Sequence, residues 1–366
     1  MLLLVVSTGL SVVLAEVLLR AWGGALGFEF LLANTPSLYD TSIFQPDPEA
    51  VKALRPSARA QIQTAEYSQD IRIDAAGLRG PELPAKATDE LRILAVGDSF
   101  TLGLQVQEDE LFHARLARGL SQRLARPVTA WNAGVDGHGT PHAQAQMVRL
   151  APVVDADVVL LTFFTGNDFD DNADYERSLG RRPRALERDE GPGRWLARRS
   201  VLAMNLWVLA RALDIAGAGN GARHHRELSL FTSPDALAQQ ARHTRPALAS
   251  FEERCRDLGV ACFVAVGSPA FVVYPERRAA SFWIFGLDAD DVRPDAPAAA
   301  VLDALPATLP GLDLSDGLRA VSEEGGPPLY FTLDGHWTPG GHAAVAAQLE
   351  GWMGPALEAL SVGDGP

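Results

Sequence analysis

The sequence lacks the features that mark nucleic-acid-binding, nucleotide-binding and metal-binding proteins. Acidic residues outnumber basic ones, and the formal net charge is −14. Because binding to a phosphate backbone depends on clustered Lys and Arg, this balance argues against a nucleic-acid partner. The chain also has no Gly-rich phosphate loop of the Walker type and no thiolate cluster. We therefore predict neither a bound cofactor nor a metal ion.

Only two cysteines are present, and they leave two arrangements open. Cys255 is predicted near the end of a helix and Cys262 in the strand that follows, so the two sulfurs could meet across the turn. A disulfide closing this loop would add about 2–3 kcal/mol of stability in an oxidising compartment. Free, buried thiols are favoured, because a helix and the next strand often hold their Cα atoms too far apart.

One long apolar run lies at the N-terminus. Residues 2–15 are apolar apart from three hydroxyl side chains, and a second apolar stretch separates Glu16 from Arg20. About 18 such residues can just span a bilayer. Residues 1–20 are therefore predicted to be a membrane anchor or signal segment. The alternatives to an uncleaved anchor are a cleaved signal peptide and a buried or interfacial helix.

From residue 90 onward, short apolar runs alternate with amphipathic segments, a pattern that predicts a parallel sheet flanked by helices. Strands are predicted at 91–96, 128–131, 157–164 and 260–266. Helices are predicted at 109–124 and 233–258, with a last helix from about Thr338. Ser233 and Pro234 have the residue types favoured at the N-cap and the first helical position.

Four polar blocks stand next to these elements. Three follow predicted strands and the fourth precedes the last helix: Gly97-Asp98-Ser99, Trp131-Asn132-Ala133-Gly134, Gly166-Asn167-Asp168 and Asp334-Gly335-His336. Loops at the carboxyl ends of parallel strands meet at one edge of the sheet, where ligands bind. We expect the four blocks to converge there.

Together the blocks contain the groups that acyl transfer from an ester requires. Ser99 is the candidate nucleophile, but its hydroxyl is inert until a base removes the proton. His336 is the candidate base, and Asp334 can fix its tautomer and stabilise the imidazolium. Residues two apart in an extended segment face the same side, so these two side chains can form a hydrogen bond.

The same blocks provide candidate donors for the negative charge of a tetrahedral intermediate. The backbone N–H groups of Ser99 and Gly134 and the side-chain amide of Asn167 are predicted to form an oxyanion hole. A residue without Cβ at position 134 would let the main chain approach a ligand closely.

Other serine-hydrolase signatures do not fit the nucleophile block. An α/β-hydrolase requires Gly-x-Ser-x-Gly, but Phe100 and Thr101 follow Ser99. No Ser-x-x-Lys lies nearby, which argues against a site of the β-lactamase type. Asp98 and Asp168 also lie close to the predicted site, and both are expected to cap backbone groups in tight turns.

The histidines other than His336 are predicted to have structural roles or to be solvated. His138 and His142 have the spacing of metal ligands on a helix, but the intervening Gly139 and Pro141 argue against a regular helix. We expect these two histidines to be polar residues at the mouth of the crevice. His342 is expected at the start of the last helix. The others are predicted to be solvated: His113, His224, His225 and His243.

In these blocks and their order, residues 90–352 resemble the SGNH (GDSL-type) hydrolases. The resemblance implies a flavodoxin-like three-layer α/β/α sandwich and a serine esterase that forms an acyl-Ser99 intermediate. The usual last block is Asp-x-x-His, whereas Trp337 directly follows Asp334-Gly335-His336 here. In this shorter Asp-x-His spacing, the chain resembles some branches of the family that modify bacterial polysaccharides. They suggest a short acyl ester, such as acetyl, on a cell-envelope carbohydrate and an extracytoplasmic, membrane-anchored protein.

Three alternatives to a carbohydrate esterase remain open. The same residues could transfer an acetyl group to a polysaccharide hydroxyl. A wide apolar tunnel beside Ser99 would instead favour a lysophospholipase or thioesterase. A catalytically silent carbohydrate-binding protein of the envelope is the alternative from outside the enzymes. The expected partner is an acylated small molecule or polysaccharide.

The predicted organisation has four parts. A membrane or signal segment at 1–20 is followed by an accessory extension at 34–89, which includes a hairpin on the sheet edge. The catalytic domain at 90–352 contains an insertion at 170–232, and a tail covers 353–366. Within the insertion we predict a surface loop at 170–192 and a helix at 195–215 that covers the site or packs on the flank.

Overall fold

The computed structural model describes residues 2–22, 43–64, 66–180, 200, 202–203, 220–283, 285–332 and 334–363. The strands of this part of the chain are β1 (Phe44–Asp47), β2 (Val51–Leu54), β3 (Arg59–Gln63), β4 (Ser68–Arg72), β5 (Leu91–Gly97), β6 (Val128–Asn132), β7 (Val158–Phe164), β8 (Ala261–Gly267) and β9 (Gly311–Asp313).

The helices of the described residues begin with a segment near the N-terminus and end with one near the C-terminus. They are α1 (Leu2–Trp22), α2 (Ser99–Leu102), α3 (Phe112–Leu124), α4 (Thr140–Val154), α5 (Asp168–Ser178), α6 (Asn220–Ser229), α7 (Pro234–Leu258), α8 (Ala270–Val273), α9 (Arg278–Trp283), α10 (Ala296–Ala304), α11 (Ser315–Glu323) and α12 (Pro339–Gly363).

Strands β5 to β9 form a parallel sheet in the order β6-β5-β7-β8-β9. This is the flavodoxin-like strand order, in which the direction of winding changes between the first and third strands of the sheet. Every residue of β5 is buried. A continuous apolar strand is expected where helices cover both faces of a sheet. The predicted parallel sheet is therefore confirmed.

Helices cover both faces of the sheet and form a three-layer sandwich. On one face, α4, α7 and α10 pack on strand residues such as Leu94 and Leu161. On the other face, α3, α11 and α12 pack on residues such as Ile93 and Leu160. The alternation along β5 and β7 follows from the two-residue period of a strand, which turns successive side chains to opposite faces.

Two antiparallel hairpins, β1–β2 and β3–β4, precede the sheet, where the sequence predicted one. Their apolar residues form a small core of their own, which also contains Leu102, Leu104 and Val135. Those three residues belong to the segments that follow β5 and β6 at their carboxyl ends, with Leu102 in α2. The hairpins therefore lie against the functional edge of the sheet.

The predicted membrane anchor at the N-terminus is wrong. In the described part of the chain, no helix is long and apolar enough to cross a membrane. Helix α1 carries Glu16, whose carboxylate accepts hydrogen bonds from Ser200 Oγ at 2.8 Å and from the backbone N–H of Leu202 at 2.9 Å. This finding contradicts the predicted membrane-anchored location; the extracytoplasmic assignment was based on the family resemblance.

The insertion differs from its prediction where it is described. Residues expected to begin a surface loop instead continue as α5 (Asp168–Ser178). The predicted helix at 195–215 lies outside the described residues apart from 200, 202 and 203. Helix α7 is confirmed: Ser233 Oγ accepts a hydrogen bond from the N–H of Ala236, and Pro234 occupies the first turn.

Cys255 and Cys262 form a disulfide, with their Cα atoms 6.2 Å apart. The expectation of free thiols is therefore wrong. Helix α7 ends at Gly259, whose φ of +69° reverses the chain direction and brings β8 back beside the last helical turn. The sequence does not determine this distance, because it depends on how the cap turns.

Removal of the disulfide should lower the free energy of unfolding by about 2–3 kcal/mol, since the unfolded chain regains the entropy of an open loop. We expect this loss for Cys255→Ala/Cys262→Ala in guanidinium denaturation, relative to the oxidised wild type. Reductant should destabilise the wild type and leave the double variant unchanged. Equal stability of the oxidised wild type and the double variant would contradict the account.

Candidate active site

Ser99 is presented by a tight turn at the carboxyl end of β5. Gly97 has a φ of +148°, and a Cβ there would lie 2.6 Å from the backbone oxygen of Thr162 on the neighbouring strand. Asp98 caps α2 by accepting a hydrogen bond from the N–H of Phe100 at 2.9 Å. Ser99 is therefore the first residue of α2, where the backbone N–H has no partner within the helix.

The structure brings His336 and Asp334 to Ser99 as a hydrogen-bonded series. His336 Nε2 lies 2.8 Å from Ser99 Oγ, and His336 Nδ1 lies 2.6 Å from Asp334 Oδ1. The segment between Asp334 and His336 is a turn rather than the extended segment that the sequence predicted. Gly335 has a φ of +82°, a conformation that favours glycine.

Charges around the series favour an ionised aspartate and a basic histidine. Burial acts to raise the pKa of Asp334, but hydrogen bonds from His336 and Tyr67 outweigh it and hold this pKa below its ordinary value. Burial acts to lower the pKa of His336, yet the hydrogen bond and negative charge of Asp334 raise it above its ordinary value. The imidazole is thus suited to accept the proton of Ser99.

Asn167, the third predicted oxyanion residue, lies on the wall of the same cavity as Ser99. Its Nδ2 donates to Asp171 Oδ2 at 2.6 Å. An amide nitrogen has two hydrogens, so the bond to Asp171 leaves one for a ligand. Arg223 holds the other oxygen of Asp171 at 2.8 Å, while burial raises the pKa of Asp171 to about 6.

Gly134 does not line the cavity that the other predicted oxyanion residues share. Its backbone N–H donates to Asn132 Oδ1 at 2.9 Å. A Cβ at this position would lie 2.5 Å from the backbone nitrogen of Leu102, so the glycine serves close packing. Gly137, further along the same loop, does line the cavity and has a φ of +69°.

Asp98 and Asp168 act as backbone caps, as predicted. Asp168 Oδ2 accepts a hydrogen bond from the N–H of Phe164 at 2.9 Å. Burial raises the pKa of Asp98 to about 7 and that of Asp168 well above its ordinary value. Asp98 Oδ2 is 3.4 Å from Ser99 Oγ, so a second carboxyl group lies beside the candidate nucleophile.

The remaining histidines have structural roles, though not all as expected. His138 is buried, stacks on His142, and has Nε2 2.9 Å from the backbone oxygen of Lys52. His342 Nδ1 accepts the N–H of Phe112 at the start of α3. His113 was expected to be solvated but is buried, and burial lowers its pKa to about 3. In the described residues, no group of three potential ligands is arranged to hold a metal.

A cavity of about 760 Å³ opens beside the hydrogen-bonded series. Ser99, Asn167 and His336 form part of its wall, and much of the remaining wall is apolar: Phe164, Leu228, Phe231, Ala270, Phe271 and Phe285. The wall also carries charged side chains, among them Asp136, Arg223 and Arg277. Convergent polar groups on a partly apolar wall are typical of a small-molecule site.

Sequence reasoning missed several residues that contact the site. Tyr67 Oη donates to Asp334 Oδ2 at 2.7 Å across a separation of 267 positions. Asp171 holds Asn167, and Gly137 replaces Gly134 at the cavity wall. For Gly137, the only signal in the sequence is the set of glycines that follows Asn132. This set does not by itself indicate which glycine has a backbone N–H that faces a ligand.

The reactivity of Ser99 should depend on the neutral form of His336. Because the pKa of His336 is raised above 6.5, labelling of Ser99 by a fluorophosphonate should slow as the pH falls, with a midpoint above 6.5. The measurement is the pseudo-first-order labelling rate between pH 4 and 9, with Ser99→Ala as the unlabelled control. A midpoint below 6.5 would contradict the raised pKa of His336 and its role as the base.

No family model matches the chain, and neither does any curated protein. The chain is similar to solved structures described as lipases, acylhydrolases and esterases. A lipase from a goat rumen metagenome is 15% identical, with a TM-score of 0.40 over 71% of this chain and 96% of the other. A variant of the acetyl-xylooligosaccharide esterase Axe2 from Geobacillus is 12% identical, with a TM-score of 0.38 over 71% of this chain and 92% of the other.

A G-D-S-L family lipolytic protein from Desulfitobacterium hafniense is 10% identical, with a TM-score of 0.33 over 71% of this chain and 97% of the other. At these identities and TM-scores, the similarity assigns no function to this chain.

Proposed function

We propose that the protein is a serine-dependent hydrolase of carboxylic esters of the SGNH type. One observation carries the proposal: Ser99 Oγ lies 2.8 Å from His336 Nε2, while His336 Nδ1 lies 2.6 Å from Asp334, at the wall of a cavity. A nucleophile, a base within hydrogen-bond reach and a carboxylate that orients the base form the arrangement required for acyl transfer.

In the first half of the reaction, Ser99 Oγ attacks the carbonyl carbon of the ester as its proton passes to His336 Nε2. The carbonyl oxygen becomes an oxyanion. When the intermediate collapses, the bond to the alcohol oxygen breaks, and His336 returns the proton to the leaving alcohol. The acyl group remains on Ser99. Asp334 stays ionised and stabilises the imidazolium while it exists.

In the second half, His336 takes a proton from water as the oxygen of that water attacks the acyl carbon. When this second intermediate collapses, the bond to Ser99 Oγ breaks, His336 returns its proton to Ser99, and the carboxylic acid is released. The proposed oxyanion donors are the N–H groups of Ser99 and Gly137 and the amide of Asn167. Gly137 takes the place predicted for Gly134, since the N–H of Gly134 is already donated to Asn132. Donors fixed before the reaction begins stabilise charge without reorganisation at the transition state.

Two substrate classes fit this chemistry. The short spacing of Asp334 and His336 resembles branches that act on polysaccharides and supports an acetyl ester of a carbohydrate. The phenyl rings of Phe164, Phe231 and Phe271 on the cavity wall support a second candidate, an ester with a larger apolar acyl group. We favour the second, because burial of each methylene against such a wall gains about 0.8 kcal/mol.

Asn167→Ala should lower kcat by about 10²–10³-fold, the usual effect of deleting one oxyanion donor. KM for a p-nitrophenyl ester should change little, because the bond forms fully only in the transition state. The pH midpoint of Ser99 labelling should stay that of the wild type, since Asn167 does not contact His336. Wild-type kcat in a folded Asn167→Ala protein would remove this residue from the proposed mechanism.

The length of the acyl chain should separate the two substrate classes. We expect kcat/KM for p-nitrophenyl esters to rise from acetyl to hexanoyl, by up to about fourfold per methylene. Phe285→Ala should flatten this rise and leave acetyl hydrolysis unchanged, since Phe285 lies on the cavity wall and is only partly buried. A rate that falls from acetyl onward would instead support the acetyl ester.

Ser99→Ala is the control for the whole series and should abolish the turnover of every ester. Hydrolysis that survives Ser99→Ala would contradict the proposal. Release of free acid also distinguishes hydrolysis from transfer to a carbohydrate hydroxyl, since a transferase leaves the acyl group on the acceptor. A non-catalytic carbohydrate-binding protein would show no hydrolysis of any ester and no labelling of Ser99.

A further inference from the structure

The turn of the β3–β4 hairpin reaches the segment that carries the catalytic candidates. Tyr67 Oη donates to Asp334 Oδ2 at 2.7 Å. The carboxylate of Glu66 accepts the backbone N–H groups of Thr332 and Asp334, each at 2.8 Å. Three hydrogen bonds thus join this turn to the residues immediately before His336, although the two segments are far apart in the sequence.

Tyr67 is held in place by its own surroundings. Its side chain is buried in the core of the hairpins, and its ring lies 5.2 Å from that of Phe331. Thr64 Oγ1 accepts the backbone N–H of Tyr67 at 3.1 Å and fixes the turn. A buried phenol needs a hydrogen-bond partner, and here the partner is the carboxylate behind His336.

The contact divides the two oxygens of Asp334 between two donors. Oδ1 faces His336 Nδ1 at 2.6 Å, and Oδ2 faces the phenol. With both oxygens engaged, rotation of the carboxylate would break a hydrogen bond. The phenol also draws negative charge away from the carboxylate, which makes Asp334 less effective at stabilising a proton on His336.

We propose that Tyr67 is a positioning residue for the Ser99-His336-Asp334 series, so that the accessory hairpin forms part of the active site. This inference rests on the proposed function for its catalytic consequence, but the effect on His336 is independent of turnover. Tyr67 does not contact the reacting atoms. It fixes the orientation of Asp334 and moderates the basicity of His336.

The test is Tyr67→Phe in the full chain, which removes the hydroxyl and retains the ring. Loss of the phenol leaves more charge on Asp334, so the proton affinity of His336 should rise about threefold. NMR titration of the His336 imidazole measures this change, with the resonance assigned by His336→Ala. If the protein is an esterase, kcat should also fall about tenfold with KM unchanged.

Tyr175→Phe is the matched control. It also removes a tyrosine hydroxyl bonded to the N-terminal extension, because Tyr175 Oη donates to the backbone oxygen of Glu49 at 2.9 Å. Neither the titration of His336 nor kcat should change in this variant. An unaltered His336 titration in folded Tyr67→Phe would overturn the inference. A shifted titration in a protein without esterase activity would retain it and reject the proposed function.

Discussion

The hydrogen bond between Ser99 Oγ and His336 Nε2 joins parts of the chain that are 237 residues apart. It can form only if the end of β5 and the segment before α12 meet at one edge of the sheet. The parallel strand order provides that edge. Two glycine turns then complete the approach, since Gly97 exposes Ser99 and Gly335 turns His336 back beside Asp334. The geometry of the site is thus a consequence of sheet topology.

A second set of contacts orients these groups, and it comes from outside the sandwich. Tyr67 of the β3–β4 hairpin bonds to Asp334. Arg223 of α6, in the insertion, bonds to Asp171, which in turn accepts the amide of Asn167. The central fold therefore carries the candidate reacting groups, while the extension and the insertion supply the side chains that hold them. Changes in either added segment are expected to alter the site without altering the fold.

The parts of the structure that follow from local pattern could be predicted from the sequence. The buried strands were readable because residues 91–96 and 157–164 are apolar apart from Arg92, Asp157 and Thr162, and Ser233 with Pro234 marked the start of α7. Ser99 and Asn167 were recognisable because their polar blocks follow buried strands, and His336 because it stands two residues after Asp334, just before the last helix. These inferences combine the periodicity of the chain and the geometry of parallel sheets with the resemblance of the blocks to those of the SGNH hydrolases.

The remaining features of the fold and the site depend on distances between segments, and no local pattern in the sequence contains these distances. Burial of His113 depends on which face of α3 meets the neighbouring helix, and pairing of Cys255 with Cys262 depends on the left-handed turn at Gly259. The choice between Gly134 and Gly137 depends on where each backbone N–H points within one loop. At the N-terminus, hydropathy alone predicted a membrane anchor at residues 1–20, but no helix of the described residues is long and apolar enough to span a membrane.

The most direct test of the central claim is to trap the acyl group on the protein. The wild type would be mixed with a p-nitrophenyl ester, quenched in acid within the first turnovers, digested and examined by mass spectrometry. We predict that the peptide containing Ser99 gains the mass of the acyl group, and that Ser99→Ala gains none. Ester turnover with no acylated serine, or with the acyl group on another residue, would contradict the assignment of Ser99 as the nucleophile.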